Sequence, residues 1–194
     1  LTNTIILYII RLERCADAEM KTIIFEGLPL IGKSTLIEYI KSLKIKNVHC
    51  VEEIILKTKE LDQESFMKND VAKVKKYKNG LVFIDKAFIS TLSYNEMLDY
   101  LIGNNELLKV KEWFQKVAIP FYQKDDVITI YLRKAKKEIR IKNEKSPHGS
   151  VKNQIMMEKI EIKNIKKYCK NYKIITYYKK DMEKVVNEII NKYM

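Results

Sequence analysis

Apolar residues along the chain fall into two alternating kinds of segment, short unbroken runs and longer stretches with helical spacing. Residues 81–84 are a continuous apolar run, as a strand buried on both faces is, and 22–25 and 127–132, apolar but for Thr22 and Thr129, are strand candidates beside it. Two further strands are expected at 47–51 and 173–177. Between them, Leu36, Ile37, Ile40 and Leu43 recur at helical spacing and predict a helix over 33–43. Similar spacing predicts helices from about residue 54 toward the Asn79-Gly80 turn, and over 90–102, 106–117, 134–143 and 153–168. A last helix, 182–193, should turn Val185, Val186, Ile189 and Ile190 inward. Pro120 predicts a break in the chain, and 145–150 a loop. Strands alternating with helices imply a three-layer α/β domain, a parallel sheet of about five strands with helices on both faces. Ligands of such sheets sit beyond the strands' carboxyl ends, which makes Phe25, Val51, Ile84 and Leu132 the markers of the site.

At 194 residues and 46% hydrophobic, the chain can build one sizeable core, and its 5 Gly and 3 Pro leave no long linker. Residues 20–194 are expected to form that single domain, and 1–19 are either an N-terminal extension ahead of a start at Met20 or a short strand or helix packed on the domain surface. The net charge of +12 changes the picture less than its size suggests. Lys supplies nearly all of it and is spread through every segment, while Arg occurs only at Arg11, Arg14, Arg133 and Arg140. That distribution favours polyanionic small molecules over a nucleic-acid surface. Cys15, Cys50 and Cys169 are odd in number and form no C-x-x-C pair, against a disulfide framework or zinc site and in favour of a reducing, cytoplasmic setting. The apolar run 5–10 is far too short to span a membrane.

The chemistry is concentrated behind the first strand. Gly27-Leu28-Pro29-Leu30-Ile31-Gly32-Lys33-Ser34 satisfies G-x-x-x-x-G-K-[ST] between a strand and a helix, the context that confirms a phosphate-binding loop. Its glycines let backbone N–H groups curl round a phosphate, and the helix N-terminus adds positive potential. Lys33 is expected on the β- and γ-phosphates, Ser34 on magnesium, and Thr35 beside them. The expected ligand is a nucleoside triphosphate, ATP with Mg2+. Asp85, at the end of the 81–84 run, is the second magnesium candidate, although an aspartate there also serves as a helix cap.

Phe25-Glu26-Gly27 leading into Gly32-Lys33-Ser34-Thr35-Leu36 resembles the opening of the deoxynucleoside kinases and thymidylate kinases, and the resemblance runs over about residues 21–190. Deoxynucleoside kinases carry, about twenty positions beyond the loop lysine, a glutamate that takes the proton of the sugar 5′-hydroxyl. Glu52 and Glu53 both stand at that distance. The third strand of those families ends Glu-Arg-Ser or Asp-Arg, and here it ends Asp85-Lys86, a point charge in place of a guanidinium fork. Ser90, Thr91 and Tyr94 are similar to a thymidylate kinase pattern. Glu112-Trp113-Phe114 and the strand ending Tyr131-Leu132-Arg133 are similar to deoxynucleoside kinases. The resemblance implies a lid around 134–152, with Arg140 as its arginine, and a homodimer. The acceptor it implies is a nucleoside, with a nucleoside monophosphate as the alternative and a nucleotide-binding regulator or inactive kinase as the second. Phe66, Tyr77, Phe88, Tyr94, Trp113 and Phe114 are the candidate base-stacking aromatics.

Overall fold

The computed structural model describes residues 20–56, 62–134 and 149–194. Five strands form one sheet: β1 (Lys21–Glu26), β2 (Val48–Val51), β3 (Leu81–Asp85), β4 (Val127–Arg133) and β5 (Asn171–Thr176). Their order is β2-β3-β1-β4-β5 and every pairing is parallel. β1 lies at the centre, hydrogen-bonded on both sides, and buries all but its first residue. Successive side chains of a strand point to opposite faces, so each central strand feeds two cores. On one face Ile23, Phe25, Phe83, Ile130 and Leu132 meet helix α1 (Lys33–Ser42) and the C-terminal helix. On the other, Ile24, Ile84, Val127 and Tyr131 meet the aromatic cluster of Phe88, Phe114 and Tyr122. The three-layer α/β expectation is therefore the observed architecture.

Two departures from the expected elements have local causes. The helix expected from about residue 54 begins later, as α2 (Gln63–Lys75), capped by Asp62, whose side chain accepts from the Ser65 N–H. Ahead of it, residues 53–56 are held as an irregular segment by one buried side chain. Asn69 Oδ1 accepts from the N–H groups of Ile55 (2.9 Å) and Leu56 (3.1 Å), and its Nδ2 donates to Glu53 O (2.8 Å). Those bonds satisfy the backbone that a helix would otherwise have satisfied. The break expected at Pro120 does not occur. After α3 (Phe88–Ile102), α4 (Leu107–Trp113) widens into a π-helical turn, Phe114–Ala118, and continues as α5 (Ile119–Tyr122), with Pro120 in its first turn. The widened turn accommodates a residue that has no N–H to give.

Helix α6 (Val151–Tyr168) starts at Ser150, whose side chain caps the Asn153 N–H. Helix α7 (Met182–Tyr193) buries Val186, Ile189 and Ile190 as its spacing predicts, with Val185 only partly covered. Residues 1–19, Arg140 and most of the expected 134–152 lid, including the whole interior of its 134–143 helix, lie outside the described residues. Among the described residues no helix is long and apolar enough to cross a membrane.

Candidate active site

The loop between β1 and α1 takes a conformation that two of its glycines make possible. Gly27 has φ +138°, and a Cβ there would sit 2.6 Å from the Leu132 carbonyl oxygen, so strand β4 presses directly on the loop. Gly32 takes φ +103° at the head of α1, where no side chain caps the helix and no acidic residue occupies the first turn. The first amides of α1 have no intrahelical partner and no acidic side chain of their own turn to bind them, the arrangement that favours phosphate. The apolar loop residues divide by role. Leu28 packs with Met97 and Met157, Ile31 enters the α1 core, and Pro29 and Leu30 are exposed on the rim. Thr35 is half-buried on the first turn.

Lys33 is 5% exposed and its Nζ donates to the carbonyls of Gly27 and Leu28, both at 2.8 Å. Burial, with the Lys86 charge adding to it, pulls its ammonium down to about 8. A cation so little solvated gains more than an exposed lysine would from an arriving polyphosphate. Ser34 Oγ donates to Asp85 Oδ2 at 2.6 Å, so the two expected magnesium residues meet at the ends of α1 and β3. Asp85 is 1% exposed, and among the described residues its buried Oδ1 has no hydrogen-bond partner. An orphaned carboxylate oxygen beside a serine hydroxyl is the donor set a hard divalent cation takes, and the residues present fit Mg2+.

Next to the loop, α2, α3 and α6 enclose a cavity of about 260 Å3 with Glu53, Lys86 and Glu161 at one side and Gln63, Phe66 and Tyr94 among its walls. The structure separates the two candidate bases. Glu53 lines this cavity and its Oε1 lies 3.0 Å from Lys86 Nζ. Glu52 points away and makes an exposed ion pair with Lys41 at 3.4 Å. Burial raises the Glu53 carboxyl, but Lys86, Lys33 and Lys73 outweigh it, and the group is held below the usual glutamate range. Burial likewise opposes the Lys86 charge, and Glu53 and Glu161 overcome it, so that lysine titrates higher than usual.

Of the six aromatic candidates, Phe66 and Tyr94 line the cavity. Phe88, Trp113 and Phe114 belong to the core, with Phe88 edge-on to Trp113 at 5.4 Å, and Tyr77 stacks on His49 at 4.2 Å. Ser90 and Thr91 also line the cavity, but each is bound to a carboxylate, Glu26 and Asp70.

The structure adds Gln63 and Glu161, which no motif marked, and gives surroundings to Glu26, which the sequence marked only as part of the opening Phe25-Glu26-Gly27. Among the described residues, Gln63 Nε2 is buried without a partner. Its orientation is fixed by a relay: Glu106 N–H donates to Asn104 Oδ1, Asn104 Nδ2 to Asn95 Oδ1, and Asn95 Nδ2 to Gln63 Oε1. The relay leaves a donor to spare at the cavity. Glu26, wholly buried, accepts from Ala87 N–H and Ser90 Oγ; burial and then the Glu161 charge push its carboxyl up to about 8. Glu161, itself raised by burial, accepts from the Tyr131 hydroxyl at 2.9 Å. Gln63 and Glu161 lie on helices, and a polar residue inside a helical pattern carries no period that would have singled it out.

No family model matches this sequence, and no curated protein matches it. Solved structures do. Thymidylate kinase from Candida albicans superposes with a TM-score of 0.64 at 14% identity, over 91% of this chain and 92% of that one. Deoxyadenosine kinase from M. mycoides with bound dATP gives 0.61 at 16% identity, over 88% and 99%. Thymidylate kinase from Ehrlichia chaffeensis gives 0.55 at 18% identity, over 91% and 100%. The chain has the fold of the P-loop nucleoside and nucleotide kinases.

Proposed function

We propose that this protein transfers the γ-phosphoryl group of ATP to the 5′-hydroxyl of a nucleoside. The observation that carries the reading is the placement of Glu53 in the cavity beside the phosphate loop, ionised and held by Lys86. In the step itself, the 5′-oxygen forms a bond to Pγ, the bond from Pγ to the β-phosphate oxygen breaks, and ADP leaves. The hydroxyl proton passes to a Glu53 carboxylate oxygen. A low carboxyl pKa suits a loose transfer, in which the proton is taken late. Lys33 and the loop amides hold the triphosphate, and Lys86 counters charge between donor and acceptor. Bound through Ser34 and Asp85, Mg2+ would neutralise charge on the β- and γ-phosphates. Phe66 and Tyr94 supply aromatic surface for the base, and Gln63 Nε2 a donor for a carbonyl oxygen on its edge. Arg140 is assigned to the lid.

A nucleoside is favoured over a monophosphate by the charge of the cavity. Its carboxylates are Glu53, Asp70 and Glu161, and its lysines, among the described residues, are Lys73 and Lys86, each already paired with one of them. A phosphate-bearing acceptor would need a cation to spare.

The test is an ADP-release assay with Mg-ATP against nucleosides, deoxynucleosides and their monophosphates. Glu53→Gln is expected to lower kcat about 10²–10⁴-fold, the usual worth of a positioned base, with ATP binding kept, and Glu52→Gln to leave turnover unchanged. Turnover confined to monophosphates, or loss on Glu52→Gln instead, overturns the reading.

A further inference from the structure

Under the acceptor cavity lies an ion pair that the reaction as written does not use. Lys73 of α2 is 2% exposed and Asp70, one turn before it, 4%. Lys73 Nζ lies 2.7 Å from Asp70 Oδ1 and donates to the Lys86 carbonyl at 2.9 Å. Asp70 Oδ2 accepts from Thr91 Oγ1 of α3 at 2.7 Å. A pair this buried adds little net stability over apolar side chains of the same volume, so packing alone gives no reason for its presence. What an apolar pair could not do is hold a carbonyl oxygen.

That carbonyl belongs to the residue whose backbone is strained. Lys86 has φ +55°, a region L residues with side chains seldom occupy. Its N–H donates to the Phe25 carbonyl of β1 at 3.0 Å, its own carbonyl is taken by Lys73, and the next N–H, Ala87, donates to Glu26 at 3.0 Å. The peptide planes on both sides of Lys86 are thereby fixed, and its side chain leaves toward Glu53.

We infer that Lys73, clamped between Asp70 and the Lys86 carbonyl, is a positioning residue that keeps the Lys86 ammonium on Glu53 and so sets the proton affinity of the base. The inference rests on the assignment of Glu53 as that base. Among the described residues, the titratable groups facing Glu53 are Lys86, Lys33 and Lys73, and those facing Lys86 are Glu53, Glu161, Glu26 and Lys33. With the clamp gone, Lys86 relaxes toward ordinary φ and its Nζ leaves Glu53, whose carboxyl then titrates at higher pH.

The test is the doubly substituted chain Asp70→Asn with Lys73→Met, which removes both charges and leaves Thr91 an acceptor. Mg-ATP binding is expected within about twofold of wild type, as for a change outside the donor site. kcat should fall roughly tenfold to a hundredfold, the cost of a small misplacement, and the acid limb of its pH profile should move up. A folded variant with wild-type kcat and acid limb overturns the inference. So does a rise in nucleoside KM alone, which would assign Lys73 to the shape of the cavity. If the double variant melts below the assay temperature, Lys73→Gln is read by kcat against nucleoside KM, because loss of the Lys73 charge by itself raises the Glu53 carboxyl: a lowered kcat at unchanged KM supports the inference, and a wild-type kcat overturns it. Full turnover of Glu53→Gln removes the base, and this inference with it. An inactive Glu53→Gln beside an unaffected Lys73 variant overturns this inference alone.

Discussion

Glu26 gives the fold a pH dependence opposite in sign to that of most carboxylates. In the unfolded chain its carboxyl titrates near the ordinary 4.5, and in the folded protein burial and the neighbouring Glu161 push it up to about 8. Between those values the native state keeps a proton that the unfolded chain has released, so the free energy of unfolding falls as pH rises. Each pH unit in the window costs up to about 1.4 kcal/mol, and the whole interval from 4.5 to 8 is bounded at roughly 5 kcal/mol. Glu26→Gln isolates the effect, because the amide keeps its shape and an acceptor for the Ala87 N–H and cannot ionise. Urea unfolding followed by far-UV circular dichroism at pH 5.5 and 7.5 measures it. Wild type should lose about 2–3 kcal/mol relative to the variant across that interval. The range stops short of pH 8 because Lys33, pulled down to about 8, acts with the other sign above it: its depressed ammonium lets stability rise with pH there. If the two proteins keep a constant difference between pH 5.5 and 7.5, Glu26 is ionised in the fold and the argument fails.

Two further substitutions probe what holds the site in place. Gly27→Ala puts a methyl 2.6 Å from the Leu132 carbonyl in a left-handed backbone; overpacking and strain together should cost about 2–5 kcal/mol. A melting temperature within a degree of wild type would show that β4 does not press on the loop. Asn69→Ala removes the acceptor of the Ile55 and Leu56 N–H groups, at about 1–3 kcal/mol, and frees the segment carrying Glu53, so kcat should fall more than the loss of stability alone explains. Unchanged kcat in a folded Asn69→Ala would separate the bracket from the chemistry.

The sheet was legible because a parallel strand covered on both faces is apolar almost throughout, and residues 22–25, 81–84 and 127–132 are, with the β-branched Thr22 and Thr129 as their polar exceptions. The phosphate loop was legible because its function depends on backbone, and only glycine permits the conformations of Gly27 and Gly32. Where prediction failed, a side chain far along the chain had replaced a local signal. Ile54-Ile55-Leu56 has the composition of a helix start, but Asn69, 14 residues after Ile55, takes the N–H groups that a helix would have used. Pro120 reads as a breaker, and a π-helical turn before it absorbs the missing donor.

The same distinction explains the candidate site. Spacing alone brought Glu52 and Glu53 to the end of β2 and could not choose between them, because adjacent residues leave a strand on opposite sides. The choice is made by Asn69, which holds the Glu53 carbonyl, and by Lys86, which holds its carboxylate; both partners lie on other elements. Gln63 is a stronger case. Its side-chain acceptor is used by Asn95, whose own acceptor is used by Asn104, whose acceptor is used by the Glu106 N–H, and only the end of that relay leaves the Gln63 donor free at the cavity. A motif records groups that touch phosphate in one order along the chain. The cavity beside the loop is assembled from α2, α3 and the β3–α3 junction by hydrogen bonds whose partners are 9 to 32 residues apart, and no period in the sequence encodes them.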